Sequence, residues 1–190
     1  MQASLDEDTA VDLSAAVTAL LQGGTIAYPT EAVYGIGCNP LDENALQRII
    51  EIKGRDKHKG FILIASKLAQ LERYLTPIKP AWRSTILSVQ PDPVTFVIPA
   101  ATNIDPLLSG YRQSLAVRVS DHPIVRQLCD DFDGAIVSTS ANRSGKPPAR
   151  NATEVQEALG QDIDVIVRGQ TGVLQAPTPI INIVTGERFR

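Results

Sequence analysis

Apolar and polar positions fall in short, well-separated blocks along this chain, and the spacing inside each block names its element. Leu13, Ala16, Val17, Leu20 and Leu21 recur at helical intervals and stop at Gly23 and Gly24, which predicts an amphipathic helix closed by glycine. Thr25 to Tyr28 then begins a strand. Asp42 precedes a run that carries Leu46, Ile49, Ile50 and Lys53 in helical register, so a second helix is predicted with Asp42 as its cap. Lys53 then stands at the C-terminal end, where the helix dipole favours a cation.

Apolar runs at 61–65, 94–98, 115–119, 135–137, 163–167 and 180–184 are brief and rich in branched residues, which predicts buried strands, although Asp164 and Asn182 each interrupt one. Helical candidates lie between them at 66–75, 81–89, 123–131 and 153–159. This alternation predicts an α/β sheet with covering helices, built as a single domain over residues 1–190. No internal repeat or low-complexity segment interrupts it. Residues 144–150 combine Gly145, Pro147 and Pro148 with Lys146 and Arg150, and read either as a lid or as a solvated connection.

Composition narrows the function classes. A chain of 190 residues with 43% hydrophobic content suits one core, and a net charge of -3 argues against a protein devoted to wrapping nucleic acid. Cys38 and Cys129 stand alone, without the spacing of a zinc site or a disulfide framework, which fits a reduced cytoplasm. Asp6, Glu7 and Asp8 replace the basic start of a signal peptide, and no apolar run reaches membrane-spanning length, so the expectation is a soluble, cytoplasmic protein without membrane contact.

Four groups of residues carry candidate chemistry. The run Tyr28-Pro29-Thr30-Glu31-Ala32-Val33-Tyr34-Gly35-Ile36-Gly37 leaves a strand through proline and passes two glycines, so Thr30 and Tyr34 either face a pocket or satisfy a turn. Lys53, Arg55, Lys57 and Lys59, with His58 among them, are the densest cationic cluster and precede a buried strand, where sheet ends form ligand crevices. An arginine fork and a lysine point charge hold different oxygens of one triphosphate; a solvated face is the alternative. Ser138, Ser140 and Asn142 alternate along an extended segment and suit phosphate oxygens or a metal's water shell, or else local capping. Arg118 interrupts a buried strand and needs a partner, either Asp121 or the carboxylate of a small acid substrate. His122, beside Pro123, reads as a loop feature rather than a base.

The ordered set Tyr-Pro-Thr-Glu-Ala-Val-Tyr-Gly from 28, Lys-x-Arg at 53 and 55, Ala-Val-Arg-Val-x-Asp-His-Pro from 116 and Ser-Thr-Ser-Ala-Asn from 138 resembles the YrdC/TsaC family in its short, single-domain form. The resemblance implies an open, twisted mixed sheet around a concave, electropositive cavity. It implies formation of threonylcarbamoyl-adenylate and pyrophosphate from L-threonine, bicarbonate and ATP, with Mg2+ accompanying the nucleotide and no dedicated protein ligands for it. The product would pass to tRNA threonylcarbamoyl transferase proteins for N6-threonylcarbamoyladenosine formation. Direct contact with tRNA or double-stranded RNA is the rival reading, and the carbamoyl-adenylate chemistry of longer hydrogenase maturation proteins is a third.

On the same resemblance Lys53 and Arg55 are the catalytic cations and hold ATP with Ser140 and Asn142, while Ser114 and Arg190 match nucleotide contacts more loosely. Thr30, Tyr34, Arg118, Ser138 and Thr178 match threonine positions. Two departures stand out. Asp56 and Gly60 occupy positions where many relatives carry proline, which predicts a more mobile basic loop, and Ile62, Leu63 and Ile64 stand where longer relatives have a threonine-binding histidine.

Overall fold

Strand residues of this chain sort by parity between two apolar layers, and that sorting explains the architecture. The computed structural model describes residues 7–89, 93–174 and 176–189. In β1 (Ile26–Pro29), β3 (Ile62–Ala65) and β6 (Ile136–Ser140), Ala27, Leu63 and Val137 join one buried cluster, while Ile26, Tyr28, Ile64 and Ile136 join the other. The sheet is therefore buried on both faces, which is why its strands read as apolar runs. Leu13, Ala16 and Leu20 of α1 (Glu7–Leu21) and Ile124, Val125 and Leu128 of α5 (Pro123–Asp131) cover the second face. Ala45, Leu46, Ile49 and Ile50 of α2 (Glu43–Lys53) cover the first. Truncating a fully buried member such as Leu63 to alanine costs about 2–5 kcal/mol.

The described residues form eight strands in one mixed sheet. With β2 (Tyr34–Gly37), β4 (Thr95–Pro99), β5 (Ser114–Val119), β7 (Val165–Ile166) and β8 (Ile180–Asn182) added, the order is β7-β1-β2-β6-β3-β5-β4-β8. The pairs β1–β7, β3–β5 and β4–β8 are parallel, and the others are antiparallel. The remaining helices are α3 (Pro80–Ser88), α4 (Pro106–Ser109) and α6 (Ala152–Leu159).

Three local features differ from the sequence expectation. The glycine-containing stretch after Pro29 is a strand, β2, because Thr30 closes a tight hairpin by bonding Val33 O through its backbone N–H (3.1 Å) and Oγ1 (2.7 Å). Residues 66–75 form two short 3-10 turns, Leu68–Gln70 and Glu72–Tyr74, rather than an α-helix. There Gln70 Oε1 accepts from the Ser66 backbone and hydroxyl while its amide donates to Cys129 O, so the side chain ties this segment to α5. Strand β7 is shortened since Asp164 Oδ2 accepts from Thr25 N at 2.7 Å and replaces a ladder bond.

Strands β7 and β8 lie at opposite edges of the sheet but are neighbours in sequence, so residues 167–174 and 176–179 run between the two edges as a strap. The strap is laced to the β1–β2 hairpin by Gly172 N to Thr30 O (2.9 Å) and Leu174 N to Glu31 O (3.1 Å). Arg168 pins its root to Asp8 and Asp12 of α1.

Candidate active site

Strand positions of even number on β3, β5 and β6 share the face covered by α1 and α5, but toward one end of the strands the helices leave that face open. There Ile62, Ala116, Arg118, Ser138 and Ser140 form the floor of a cavity of about 560 Å³, within the usual range for small-molecule sites. The strap supplies Pro177 and Thr178 as one wall, and residues after β6 supply Asn142, Ser144 and Pro148 as another. Its charged lining residues, Lys53, Arg55, Lys59 and Arg118, are all cations among the described residues.

Lys53 and Arg55 reach the cavity through a glycine turn. Gly54 adopts the left-handed region at φ 56° and donates to the last carbonyls of α2, ending the helix and letting the next residue head toward β6. Lys53 Nζ donates to Ser140 O, to Asn142 O at 2.7 Å and to Asn142 Oδ1 at 3.4 Å. Arg55 donates to Thr139 Oγ1 and to Gly60 O, both at 2.7 Å, and lies over the Phe61 ring. Ser140 Oγ donates to Asn142 Oδ1 at 2.6 Å, so the hydroxyl and amide of this segment form one network with the cations. Burial, followed by the positive charges of Arg55 and Lys59, draws the Lys53 ammonium down to about 7. Burial also lowers Arg55 from its ordinary value.

The basic loop is tightly held. Asp56, in place of a proline, caps the turn Lys57–Lys59 by accepting from His58 N at 2.9 Å. Gly60 sits at φ 61° where the Ser109–Gly110 backbone leaves no room for a Cβ, and Phe61 N donates to Leu108 O at 2.8 Å. These contacts run against the expectation of added mobility. Lys57 and His58 turn outward onto Tyr111 and form the solvated part of the cationic run.

Arg118 is 7% exposed and pairs with Glu31, not with Asp121. Asp121 instead meets Arg126 one helical turn into α5. Arg118 Nη1 lies 3.5 Å from Glu31 Oε2 and donates to Thr178 Oγ1 at 3.1 Å. Thr178 in turn shares a hydrogen bond with Thr95. Glu31 Oε1 accepts from Ser120 Oγ at 2.5 Å, and Ser120 Oγ accepts from His122 N. His122 is half-buried beside the strap with Nε2 3.1 Å from Gln170 O, and desolvation lowers its pKa.

Thr30 and Ser138 line the cavity as expected, and Thr30 also spends its hydroxyl on the hairpin. Tyr34 lines the cavity too, but its hydroxyl is committed elsewhere. Its ring borders the cavity, but the O–H donates to Gly169 O (2.7 Å) and Val167 O (3.2 Å), anchoring the strap; burial raises its pKa to about 12. Ser114 shares the face of Ala116 and Arg118 but sits at the start of β5, outside the lining residues. Arg190 lies outside the described residues. Sequence reasoning missed Glu31, Thr139 and Ser120 as parts of the site, while Lys59 of the cationic run joins the cavity lining. The signal for Glu31 was available: a carboxylate inside the Thr30–Tyr34 motif and an arginine embedded in a strand each demand a buried counter-charge.

The donor set offers hydroxyls, amides and cations but no carboxylate, and the described residues contain no group of three or more His, Cys, Asp or Glu placed to hold a metal. This lining lacks the carboxylates that an all-protein site for a hard divalent cation needs. No helix among the described residues is long and apolar enough to cross a membrane.

Comparison with known proteins agrees with this arrangement. Residues 18–190 match the Sua5/YciO/YrdC family model, described as telomere recombination. The chain is 48% identical over 175 residues to the threonylcarbamoyl-AMP synthase of Halorhodospira halophila, covering 92% of each chain. It is 45% identical to that of Chromohalobacter salexigens, covering 97% of this chain and 99% of the relative. The crystal structure of P. abyssi Sua5 complexed with L-threonine superposes with a TM-score of 0.88 at 29% identity, over 97% of this chain; the chain spans about half (54%) of that longer protein.

Proposed function

The chain belongs to the Sua5/YciO/YrdC family, and on that premise we propose that it is a threonylcarbamoyl-AMP synthase, converting L-threonine, bicarbonate and ATP to threonylcarbamoyl-adenylate and pyrophosphate. The observation that carries this reading is the meeting of Lys53 and Arg55 with residues 139–142 at the mouth of a cavity that also contains Arg118. It supports an anion-binding end at the Lys53–Arg55 cations and a carboxylate-binding end at Arg118 in one enclosure.

In this reading the threonine carboxylate meets Arg118 and Thr178, with Thr30 and Ser138 beside it. The amine adds to carbon dioxide derived from bicarbonate and loses a proton, giving a carbamate. A carbamate oxygen then attacks the α-phosphorus of ATP, and pyrophosphate departs. Such a displacement needs alignment and charge stabilisation more than acid–base chemistry. Lys53, Arg55 and Lys59 supply the positive charge that the leaving pyrophosphate develops against, while Ser140 and Asn142 orient phosphate oxygens. Mg2+ enters with ATP as part of the substrate. Transfer of the activated carbamoyl group to adenosine of tRNA falls to separate transferase proteins.

The test follows pyrophosphate release from ATP with threonine present, omitted, or replaced by serine. Release that depends on threonine and bicarbonate, without RNA, supports the reading; release indifferent to the amino acid overturns it.

A further inference from the structure

Among the described residues every charged side chain lining the cavity is a cation, so its walls attract any small anion, and no lining charge favours the ammonium of an amino acid over a plain carboxylic acid. Among the described residues, the carboxylate paired with one of these cations is that of Glu31, behind Arg118. Thr30 and Ala32 line the cavity, whereas Glu31, between them in sequence, directs its carboxylate to Arg118 and Ser120.

The pairing has an unusual form. A buried glutamate and arginine ordinarily close to a bidentate pair at about 2.8 Å. Here Ser120 Oγ, itself fully buried and held by His122 N, takes Glu31 Oε1 at 2.5 Å. Glu31 Oε2 is left 3.5 Å from Arg118 Nη1 and, like Arg118 Nε, has no hydrogen-bond partner among the described residues. The glutamate therefore lends Arg118 its charge without consuming the guanidinium's donors.

We propose that Glu31 is a specificity-determining residue: its charge, held off from a full pair by Ser120, makes the Arg118 end of the cavity accept a zwitterionic amino acid and refuse a simple carboxylate of the same shape. This rests on the reading that Arg118 receives the threonine carboxylate. A carboxylate bound on the open side of Arg118 lies within a guanidinium's width of Glu31, and like-charge repulsion at that separation is worth on the order of tenfold or more in affinity. The α-ammonium of an amino acid, one carbon from its carboxylate, cancels most of that repulsion. An acid without the ammonium meets it in full. Glu31 acts at binding and touches no reacting atom.

The experiment measures calorimetric binding of L-threonine and of 3-hydroxybutanoate, which lacks only the amine, to the wild type and to E31Q, S120A and R118A. The wild type is expected to prefer threonine by more than tenfold. E31Q is expected to narrow that preference at least tenfold, chiefly by gaining hydroxybutanoate. S120A frees Oε1 to close a bidentate pair with Arg118, so threonine binding weakens several-fold while the preference stays. R118A loses both acids. Wild-type threonine affinity in R118A would remove the reading of Arg118 itself. Loss of threonine in R118A with an unaltered preference in E31Q, or no preference in the wild type, overturns the proposal alone. Should E31Q not fold, unchanged threonine binding in S120A overturns it as well.

Discussion

The ammonium of Lys53 donates to the backbone carbonyl of Asn142 at 2.7 Å across 89 positions of sequence. This bond joins the end of α2 to the loop after β6, so the cation that faces the cavity also sets the position of the residues beside it.

Removing either cation is accordingly expected to reduce adenylate synthesis more than tenfold, equivalent to at least about 1.4 kcal/mol of transition-state stabilisation. K53M and R55A are the informative variants, with pyrophosphate release as the readout and circular dichroism to confirm folding. Unchanged turnover in both would place the cations outside the chemistry.

The depressed pKa of Lys53 has two pH consequences. Between about 7 in the folded protein and 10.5 in the unfolded chain, the unfolded state holds a proton that the folded state has released. Lys53 therefore contributes a stability that rises with pH across that window. A bound triphosphate favours the ammonium, so ATP binding above pH 7 is coupled to proton uptake and weakens as pH rises. Calorimetry in buffers of different ionisation heat measures the uptake, which K53M is expected to abolish.

Tyr34 tests the strap. Y34F leaves the Gly169 and Val167 carbonyls without their donor, at a cost of about 1–3 kcal/mol, or several degrees in Tm. Turnover per folded molecule is expected to fall less than in R55A. A variant of wild-type stability that has lost turnover would instead assign the hydroxyl to substrate.

Gly60 tests the basic loop. At φ 61°, a Cβ at this position would lie 2.8 Å from Ser109 C and 2.9 Å from both Gly110 N and Leu108 O, all of them backbone atoms that cannot step aside cheaply. G60A is expected to destabilise by about 1–3 kcal/mol and to raise KM for ATP, since Gly60 O also receives Arg55. Chemical denaturation and ATP titration check the two effects separately.

The interplay of pattern and packing is clearest where local signals agreed or conflicted. α2 was legible down to its cap, because Asp42 accepts from Ala45 N and the apolar spacing matches the buried face. α5 spans the expected Pro123–Asp131. β2 was hidden, since Tyr34-Gly35-Ile36-Gly37 has the glycine content of a turn and becomes a strand only through pairing with β1 and β6. Residues 66–75 have helical spacing, yet the Gln70 side chain bonds Ser66 and Cys129 and stabilises a different path.

By itself the sequence determined the α/β class, most of the element boundaries, and the motifs that mark Lys53, Arg55, Ser140, Asn142 and Arg118 as chemistry-bearing. Those follow from spacing and residue type, which are local. Only the tertiary structure decided that Glu31 rather than Asp121 faces Arg118, that Tyr34 ties down the strap, and that Thr139 receives Arg55. These pairings join residues 84 to 135 positions apart, and the buried Arg118–Glu31 pair, which links the β1–β2 hairpin to β5, falls within that range. Which polar groups meet across such separations depends on strand order and on how burial forces each charge to find a counter-charge, and neither is written in a local pattern.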